Sequence, residues 1–222
     1  MIYQAVIVAG GKGERFGNDI PKQFLNLHSK PVLSWSIEAF FPLVKDLVVV
    51  LPEDQVDHWL NLSGSSIENI DYIITNGGRT RSESVLNGLN ALPQSGDSLI
   101  AIHDAARPLI TQNMIRDLFR SCEEHGNAVP VTKMRDSLRS IGDKGASKPL
   151  DRDRIVAVQT PQIFTGADLR KAYADHSQNS FTDDAGLVES AGMKVHLVNG
   201  DPWNIKLTYP DDLIVAESLI IK

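Results

Sequence analysis

The sequence predicts an α/β fold in which helices cover both faces of a mostly parallel sheet, and three observations lead to this fold class. Short β-rich runs alternate with helical stretches along the 222 residues. The first apolar run is followed by a glycine-rich loop at 10–17. Such loops bring backbone N–H groups close to phosphate. A charged segment at 133–154 departs from the alternation and predicts a protruding β-arm.

The strand predictions rest on runs of apolar and β-branched residues bounded by turn signals. Because helical stretches separate these runs, the strands are expected to be mostly parallel neighbours. The predicted strands are 5–9, 47–51, 72–74, 99–103, 128–131 and 195–198.

The stretches between these strands are predicted to be helical. Two of them carry clear start signals. Thr111 is placed as an N-cap, and Pro210 stands at a first-turn position that tolerates proline. The predicted helices are 32–41, 79–92, 111–125, 166–176, 183–191 and 210–221.

Composition bounds the class of protein. With 42% hydrophobic and 23% charged residues, residues 1–222 are expected to form a single domain with a well-buried core. The net charge of -6 gives no reason to expect nucleic acid or an anionic membrane as a partner. Cys122 has no partner for an internal disulfide, and the sequence has neither a long apolar segment nor a targeting signature, so we expect a cytoplasmic protein.

The loop at 10–17, with the sequence GGKGERFG, predicts a nucleoside triphosphate site. A Walker loop would place Ser or Thr after Lys12, where this chain has Gly13. A dinucleotide fingerprint would place glycine at 16, where this chain has Phe16. The cations Arg15 and Lys22 suit a charged polyphosphate. The alternative is a plain glycine-rich turn with solvated lysines.

Ligands of a parallel sheet bind at the carboxyl ends of its strands, which draws attention to 103–108, HDAARP. Asp104 supplies the hard oxygen that Mg²⁺ prefers, and the alanines after it allow close approach of a ligand. Arg107 is expected to be structural and to pair with a neighbouring carboxylate. His103 is expected to be a hydrogen-bonded packing residue rather than a base.

A second polar segment, 76–85, follows the strand 72–74. Two glycines expose backbone groups, and Ser82 and Ser84 are placed to contact the polar edge of a base. Two alternatives remain open here: an anion at the helix N-terminus, or a simple Gly-Gly turn capped by a polar helix start.

Two segments near the C-terminus carry further candidate residues. Lys206 has apolar neighbours in a strand-like segment, 203–208, which favours a place at the sheet edge within reach of a phosphate. Thr182 is predicted to cap the helix that follows it, and Asp183 is a candidate to orient a substrate hydroxyl or a cation.

The segment 133–154 contains two alternating stretches around a Gly-Asp-Lys-Gly turn, which predicts a β-hairpin arm. The arm has few apolar residues to bury and would be poorly stable alone. We therefore expect it to contact a partner surface, most simply a second subunit. The alternative is a mobile surface loop.

The motifs together resemble the 2-C-methyl-D-erythritol 4-phosphate cytidylyltransferase family. The resemblance runs from end to end through the strings GGKGER, PKQF, GGRTRSESV, HDAARP, RDS, LDR, TPQ, TDDA and NIKLT. It implies a Rossmann-like nucleotidyltransferase fold and a homodimer formed through the arm. It also implies synthesis of 4-diphosphocytidyl-2-C-methyl-D-erythritol and pyrophosphate from CTP, with Mg²⁺, in the non-mevalonate isoprenoid pathway.

The resemblance also implies roles for matching residues. Arg15, Lys22 and Lys206 would be catalytic, and Asp104 would hold Mg²⁺. Nucleotide binding would involve Ala9, Gly10, Gly11, Lys12, Gly13, Gly78, Ser84 and Ala105. The sugar phosphate would meet Asp136, Ser137 and Arg152.

Two positions depart from the family pattern. Ser137 replaces a threonine and keeps its hydroxyl, whereas Asp184 stands where glutamate is frequent, which leaves its role open.

Two other functions are weighed beside this one. Ribitol-5-phosphate cytidylyltransferase shares GGKG and PKQF, but HDAARP and the LDR to TPQ spacing favour methylerythritol phosphate. A CTP-sensing module without catalysis would keep the loop at 10–17 and would not need Asp104, Ser137 or Arg152.

Overall fold

The structure, a computed structural model, describes residues 1–10, 20–63, 67, 69–176 and 181–220. Its strands are β1 (Ile2–Val8), β2 (Asn26–Leu27), β3 (Lys30–Pro31), β4 (Asp46–Leu51), β5 (Ile73–Asn76), β6 (Ser98–Asp104), β7 (Asn127–Lys133), β8 (Leu138–Ile141), β9 (Ser147–Leu150), β10 (Val156–Val158), β11 (Gln162–Thr165) and β12 (Leu197–Asn199). Its α-helices are α1 (Val32–Phe40), α2 (Val56–Ser63), α3 (Arg81–Ala91), α4 (Gln112–His125), α5 (Gly166–His176), α6 (Asp184–Ser190) and α7 (Pro210–Ile220).

The main sheet has eight strands, and its central part is parallel in the order β5-β4-β1-β6. β11 joins β6 to β7 and runs antiparallel to both. β7 also pairs with β10 in antiparallel and with β12 in parallel orientation. The mostly parallel sheet is therefore confirmed. The antiparallel strands β10 and β11 were not predicted, because each is only three or four residues long and the polar stretch between them gives no strand signal.

Successive side chains of a strand point to opposite sides of the sheet. The central strands are buried on both sides, with a separate apolar cluster on each. Along β1, Ala5 and Ile7 pack into one apolar cluster with residues of α1 and α4. Val6 packs on the other side with residues of α3, α5 and α6. The sequence of β4, Asp-Leu-Val-Val-Val-Leu, is nearly continuous in apolar residues for this reason.

The predicted helices are all present, with ends that differ from the predictions by two residues at most. Thr111 caps α4 by accepting a hydrogen bond from the Met114 amide, and Pro210 is the first residue of α7, both as predicted. The cap of α6 was wrong: Asp183, rather than Thr182, accepts from the Gly186 amide. The short helix α2 was not predicted. No described helix has both the length and the apolar character needed to cross a membrane.

The arm is a hairpin, as predicted. β8 pairs with β9 from Leu138 opposite Leu150 to Ile141 opposite Ser147. Arg139 cross-links the two strands through a 2.8 Å hydrogen bond from its Nε to the Ser147 hydroxyl. The Ile141 side chain is 83% exposed, so the hairpin buries little apolar surface within its own protomer.

We expect Gly88→Ala to destabilise the protein by about 1 to 3 kcal/mol, because the added methyl overpacks the contact between α3 and the sheet. A Cβ at Gly88 would lie 2.4 Å from Val6 Cγ1 and 2.9 Å from Val50 Cγ2. Urea unfolding measures the change. Gly96→Ala is the matched control, since a Cβ there meets nothing within 4 Å. Equal midpoints for the two variants would contradict this packing.

Candidate functional site

A cleft of about 1090 Å³ opens where β1, β4, β5 and β6 end. This is the edge at which ligands bind in parallel α/β sheets, because the connecting loops diverge there. The lining includes Ala9, Gly10, Lys22, Gly78, Arg81, Ser84, Asp104, Ala105 and Lys206. Every predicted nucleotide or catalytic residue that the structure describes is therefore at this cleft. Gly11, Lys12, Gly13 and Arg15 lie outside the described residues.

The chain leaves β1 through a tightly held backbone. The Ala9 amide donates to the Val50 carbonyl at 2.9 Å, and the buried side-chain amide of Gln23 donates to the Ala9 carbonyl at 2.7 Å. Gln23 belongs to the PKQF motif, so its contact explains why that motif accompanies the glycine loop. A Cβ at Gly10 would lie only 3.2 Å from the Ser84 hydroxyl.

The turn at Gly77 and Gly78 is held by the start of α3. Ser84 accepts a 3.0 Å hydrogen bond from the Gly78 amide and donates at 2.9 Å to the Thr80 carbonyl. Thr80 in turn caps α3 by accepting from the Glu83 amide. A side chain at Gly78 would clash, since its Cβ would lie 2.2 Å from Glu83 Cβ. The alternative of a Gly-Gly turn capped by a polar helix start is therefore confirmed. Gly77 and Gly78 also line the cleft.

The two serines of this segment differ. Ser84 is 2% exposed and lies at the cleft, with its hydroxyl proton already donated inside the protein. Ser82 is not among the residues that line the described cleft, and its contact with a base stays a prediction. Ser84 retains one acceptor lone pair, which suits an amine donor.

Asp104, at the end of β6, is the electrostatic centre of the cleft. Its Oδ1 accepts from Arg81 Nε at 3.2 Å, and its Oδ2 accepts from Lys206 Nζ at 2.6 Å. Burial alone would raise the pKa of Asp104, but Arg81 and Lys206 hold that pKa well below its usual range. The carboxylate is therefore ionised at any pH at which the protein works.

The two predicted lysines meet at the same wall of the cleft. Lys22 Nζ donates to the Leu207 carbonyl at 2.7 Å, directly beside Lys206 in the chain. The Leu207 amide donates to the Ala106 carbonyl at 2.8 Å, which ties this segment to the loop after β6. Residues 203–208 form no strand, contrary to the prediction. The backbone of Leu207 nevertheless links both cations to the end of β6.

Behind Asp104 lies a buried group that the sequence did not reveal. Arg81 Nη2 donates to Asp184 Oδ2 at 2.8 Å, and the Tyr173 hydroxyl donates to Asp184 Oδ1 at 2.6 Å. Burial lowers the pKa of Arg81, but Asp184 and Asp104 more than offset this and raise it. Burial, together with Asp184, raises the pKa of Tyr173. The sequence drew attention to Asp184 only as a departure from the family pattern, and no local pattern distinguishes Arg81, the second arginine of GGRTR, from Arg79.

Two further predictions concern structural residues. His103 is fully buried, with Nδ1 at 3.2 Å from the Thr160 hydroxyl and Nε2 at 3.2 Å from the Arg107 carbonyl. Burial lowers the pKa of His103 to about 4, so it is a neutral packing residue, as predicted. Arg107 is also structural. Its Nη1, however, donates to the Asn204 carbonyl at 2.7 Å rather than to the predicted carboxylate.

Asp183 is a structural residue as well. Its side chain accepts from the Gly186 amide at 3.0 Å and from Gln162 Nε2 at 3.0 Å. Asp183 thus ties the start of α6 to β11. Both of its carboxylate oxygens accept hydrogen bonds within the protein, and its contact with a substrate or a cation stays a prediction.

The predicted sugar-phosphate residues lie on the arm and outside this cleft. Asp136, Ser137 and Arg152 are exposed, and none lines the described cleft of its own chain. Arg152 is held at the base of the hairpin by a 2.9 Å hydrogen bond from its Nη1 to the Arg135 carbonyl.

The sheet is mostly parallel, and its carboxyl edge carries glycine turns, an acidic side chain and the cations Lys22 and Lys206. This combination of fold and site is that of a nucleotidyltransferase. The family model described as IspD, 2-C-methyl-D-erythritol 4-phosphate cytidylyltransferase, matches residues 3–222. The chain belongs to that family.

Individual relatives agree with this membership. The 2-C-methyl-D-erythritol 4-phosphate cytidylyltransferase of Bacteroides thetaiotaomicron is 39% identical over 99% of this chain and 100% of its own length. The Porphyromonas gingivalis protein of the same name is 41% identical over 97% of this chain and 96% of its own. The crystal structure of the Thermus thermophilus enzyme covers both chains fully, with 30% identity and a TM-score of 0.82.

We expect Ser84→Ala to raise the KM for CTP about tenfold, because the Gly78 amide loses its acceptor and the turn at the cleft loosens. Steady-state kinetics with varied CTP measure the effect. Ser82→Ala removes the same atom from the same helical turn outside the cleft and should leave the KM unchanged. An unchanged KM in both variants would remove Ser84 from the nucleotide site.

Proposed function

We propose that this chain transfers the cytidylyl group of CTP to 2-C-methyl-D-erythritol 4-phosphate and releases pyrophosphate, in the non-mevalonate route to isoprenoids. One observation carries the proposal. Lys22 and Lys206 converge through Leu207 at the cleft where Asp104 ends β6. Family membership supports the choice of CTP and of methylerythritol phosphate as substrates.

The chemistry follows from the charges of the substrates. An oxygen of the acceptor phosphate attacks the α-phosphorus of CTP, a new P–O bond forms, and the bond between the α-phosphorus and its bridging oxygen to the β-phosphate breaks. The attacking phosphate is already ionised near neutral pH, so the reaction needs no general base. Negative charge develops on the α-phosphoryl and leaving oxygens, and catalysis depends on positioning and on cations.

In this proposal Lys22 and Lys206 stabilise that developing charge. Both are held by hydrogen bonds in the described structure, so little reorganisation is needed when the triphosphate enters. Arg15 would add a third cation, and the backbone of Gly11 and Gly13 would approach the phosphates.

The cleft suits a magnesium ion that is held mainly by the substrate. Mg²⁺ usually binds one or two carboxylates together with phosphate oxygens and water. Asp104 offers an ionised carboxylate at the cleft, and the described residues contain no cluster of three potential metal ligands. Asp104 would hold Mg²⁺, and the ion would act as a Lewis acid that stabilises negative charge on the phosphate oxygens.

The arm is proposed to complete the site in a homodimer. Asp136, Ser137 and Arg152 are exposed on or beside a hairpin that buries little of its own apolar surface. The arm of one protomer would bring these residues to the cleft of its partner, where they would bind the sugar phosphate.

We also assign the enzyme to the cytoplasm. Its cysteine is a buried free thiol, and its net charge is -6, which favours neither nucleic acid nor a membrane as a partner.

Pyrophosphate release from CTP tests the proposed function. Turnover is expected with 2-C-methyl-D-erythritol 4-phosphate and much less with ribitol 5-phosphate. A preference for ribitol 5-phosphate would assign the chain to that substrate instead. Binding of CTP without pyrophosphate release from either acceptor would favour the CTP-sensing alternative.

Lys22→Ala and Lys206→Ala are each expected to lower kcat by about 10²- to 10³-fold, or about 3 to 4 kcal/mol, as one preorganised charge is lost. Initial rates at saturating substrates measure this. Lys171→Ala removes an exposed lysine of α5 away from the cleft and is expected to behave as wild type. Near-normal turnover in both cleft variants would contradict the triphosphate roles.

Arg152→Ala is expected to raise the KM for the sugar phosphate and to leave CTP binding nearly intact, because the arm is proposed to bind only the acceptor. Calorimetry of CTP binding and steady-state kinetics separate the two. Mixed dimers of Arg152→Ala with Lys22→Ala should regain activity, since one of the two shared sites would be intact. Absence of complementation would argue against a site formed by two subunits.

A further inference from the structure

A continuous line of hydrogen-bonded side chains runs from the interior of the protein to the cleft. It begins at the Tyr173 hydroxyl, 2.6 Å from Asp184 Oδ1, and passes from Asp184 Oδ2 to Arg81 Nη2 at 2.8 Å. It continues from Arg81 Nε to Asp104 Oδ1 at 3.2 Å and ends at Lys206 Nζ, 2.6 Å from Asp104 Oδ2. Hydrogen-bond donors and carboxylate acceptors alternate along this line.

The line has a buried end at Asp184 and its most exposed member at Lys206. The side chain of Asp184 is fully buried, whereas the side chains of Asp104, Arg81 and Lys206 are 11%, 25% and 40% exposed. Asp184 therefore cannot touch a ligand in the cleft. Its link to the cleft is the ion pair with Arg81.

Arg81 is shared between two carboxylates, and this sharing decides the charge at the cleft. With Asp184 present, the charges of Asp184, Arg81, Asp104 and Lys206 sum to zero. Without the Asp184 charge, Asp104 would stand alone between two cations, Arg81 and Lys206. The surroundings of Asp104 would then repel a further cation and attract an anion.

The placement of Asp184 is determined by its neighbours. Asp183 and Gln162 hold the start of α6. Asp183 accepts from the Gly186 amide and from Gln162 Nε2, and Gln162 Oε1 accepts from the Ala185 amide at 2.8 Å. Tyr173, which is 2% exposed, fixes the second oxygen of Asp184. Capping of α6 is thus performed by other groups. The carboxylate of Asp184 is left to bind the guanidinium of Arg81.

We propose that Asp184 is a positioning residue that directs Arg81 and balances its charge, so that the carboxylate of Asp104 is not outweighed by its cations and can attract a divalent cation in the cleft. The inference rests on the proposed function, because it concerns the cation that accompanies CTP. Tyr173 contributes by fixing the Asp184 carboxylate. Asp184→Asn removes the charge and retains an oxygen that can accept from Arg81.

The test measures CTP binding by calorimetry with and without Mg²⁺, and the Mg²⁺ concentration that gives half-maximal turnover. For Asp184→Asn we expect this concentration to rise about tenfold, since one unit of charge near the cation site has changed. CTP binding without metal should be unchanged or tighter. A purely structural role would weaken both kinds of binding together.

Asp183→Asn is the matched control, with the same change of charge one residue earlier. It removes a negative charge from the N-terminus of α6, where that charge interacts favourably with the helix dipole, so we expect a lower melting temperature and an unaltered Mg²⁺ dependence. If Asp184→Asn does not fold, Tyr173→Phe provides the test, with an expected rise of about twofold to threefold in half-saturating Mg²⁺ because the carboxylate is less firmly held.

Three outcomes would overturn the inference: an unchanged Mg²⁺ dependence in folded Asp184→Asn, an unchanged dependence in Tyr173→Phe where Asp184→Asn does not fold, or an equal shift in Asp183→Asn. Failure of the proposed function is distinguishable from all three, because wild-type protein would then release no pyrophosphate from CTP with 2-C-methyl-D-erythritol 4-phosphate, or would prefer ribitol 5-phosphate.

Discussion

The ion pairs of Asp104 determine how the cleft is assembled. Its carboxylate joins α3, through Arg81, to the C-terminal segment, through Lys206, over sequence separations of 23 and 102 residues. A partly buried carboxylate is costly unless it is paired, so these three segments are held in one arrangement. The same pairing leaves an ionised acid and a cation facing the space into which a triphosphate would enter.

Close approach of backbones is the second requirement of the site. Gly10 and Gly77 both pack against the Ser84 hydroxyl, and a Cβ on either would lie 3.2 Å from that oxygen. One serine thus lies against both turns, the one that follows β1 and the one that follows β5. The absence of side chains at these glycines keeps backbone groups accessible at the edge of the sheet.

The arm obeys a different constraint. β8 and β9 pair only with each other among the described strands, and Ile141 and Leu150 remain exposed. A two-stranded hairpin of this kind is marginally stable alone. A partner subunit would cover this apolar surface, which is consistent with the proposed dimer.

The sequence by itself determined the order of the helices other than α2 and of the parallel strands, the hairpin arm, and the residues that follow the strands at the cleft. These features are encoded locally, in apolar runs, caps and glycine turns, so adjacent residues suffice to predict them. Asp104 could be predicted as a site residue because the end of a parallel strand faces the ligand edge of the sheet.

Only the tertiary structure decided which of these groups meet. Arg81 contacts Asp184 across 103 residues, and Lys22 contacts Leu207 across 185, separations over which no local periodicity carries information. The antiparallel strands β10 and β11 likewise form because β7 and β6 offer them free edges, and their own short sequences carry only a weak strand signal. Long-range pairing of charges and of backbone groups therefore completed the site that local sequence had only outlined.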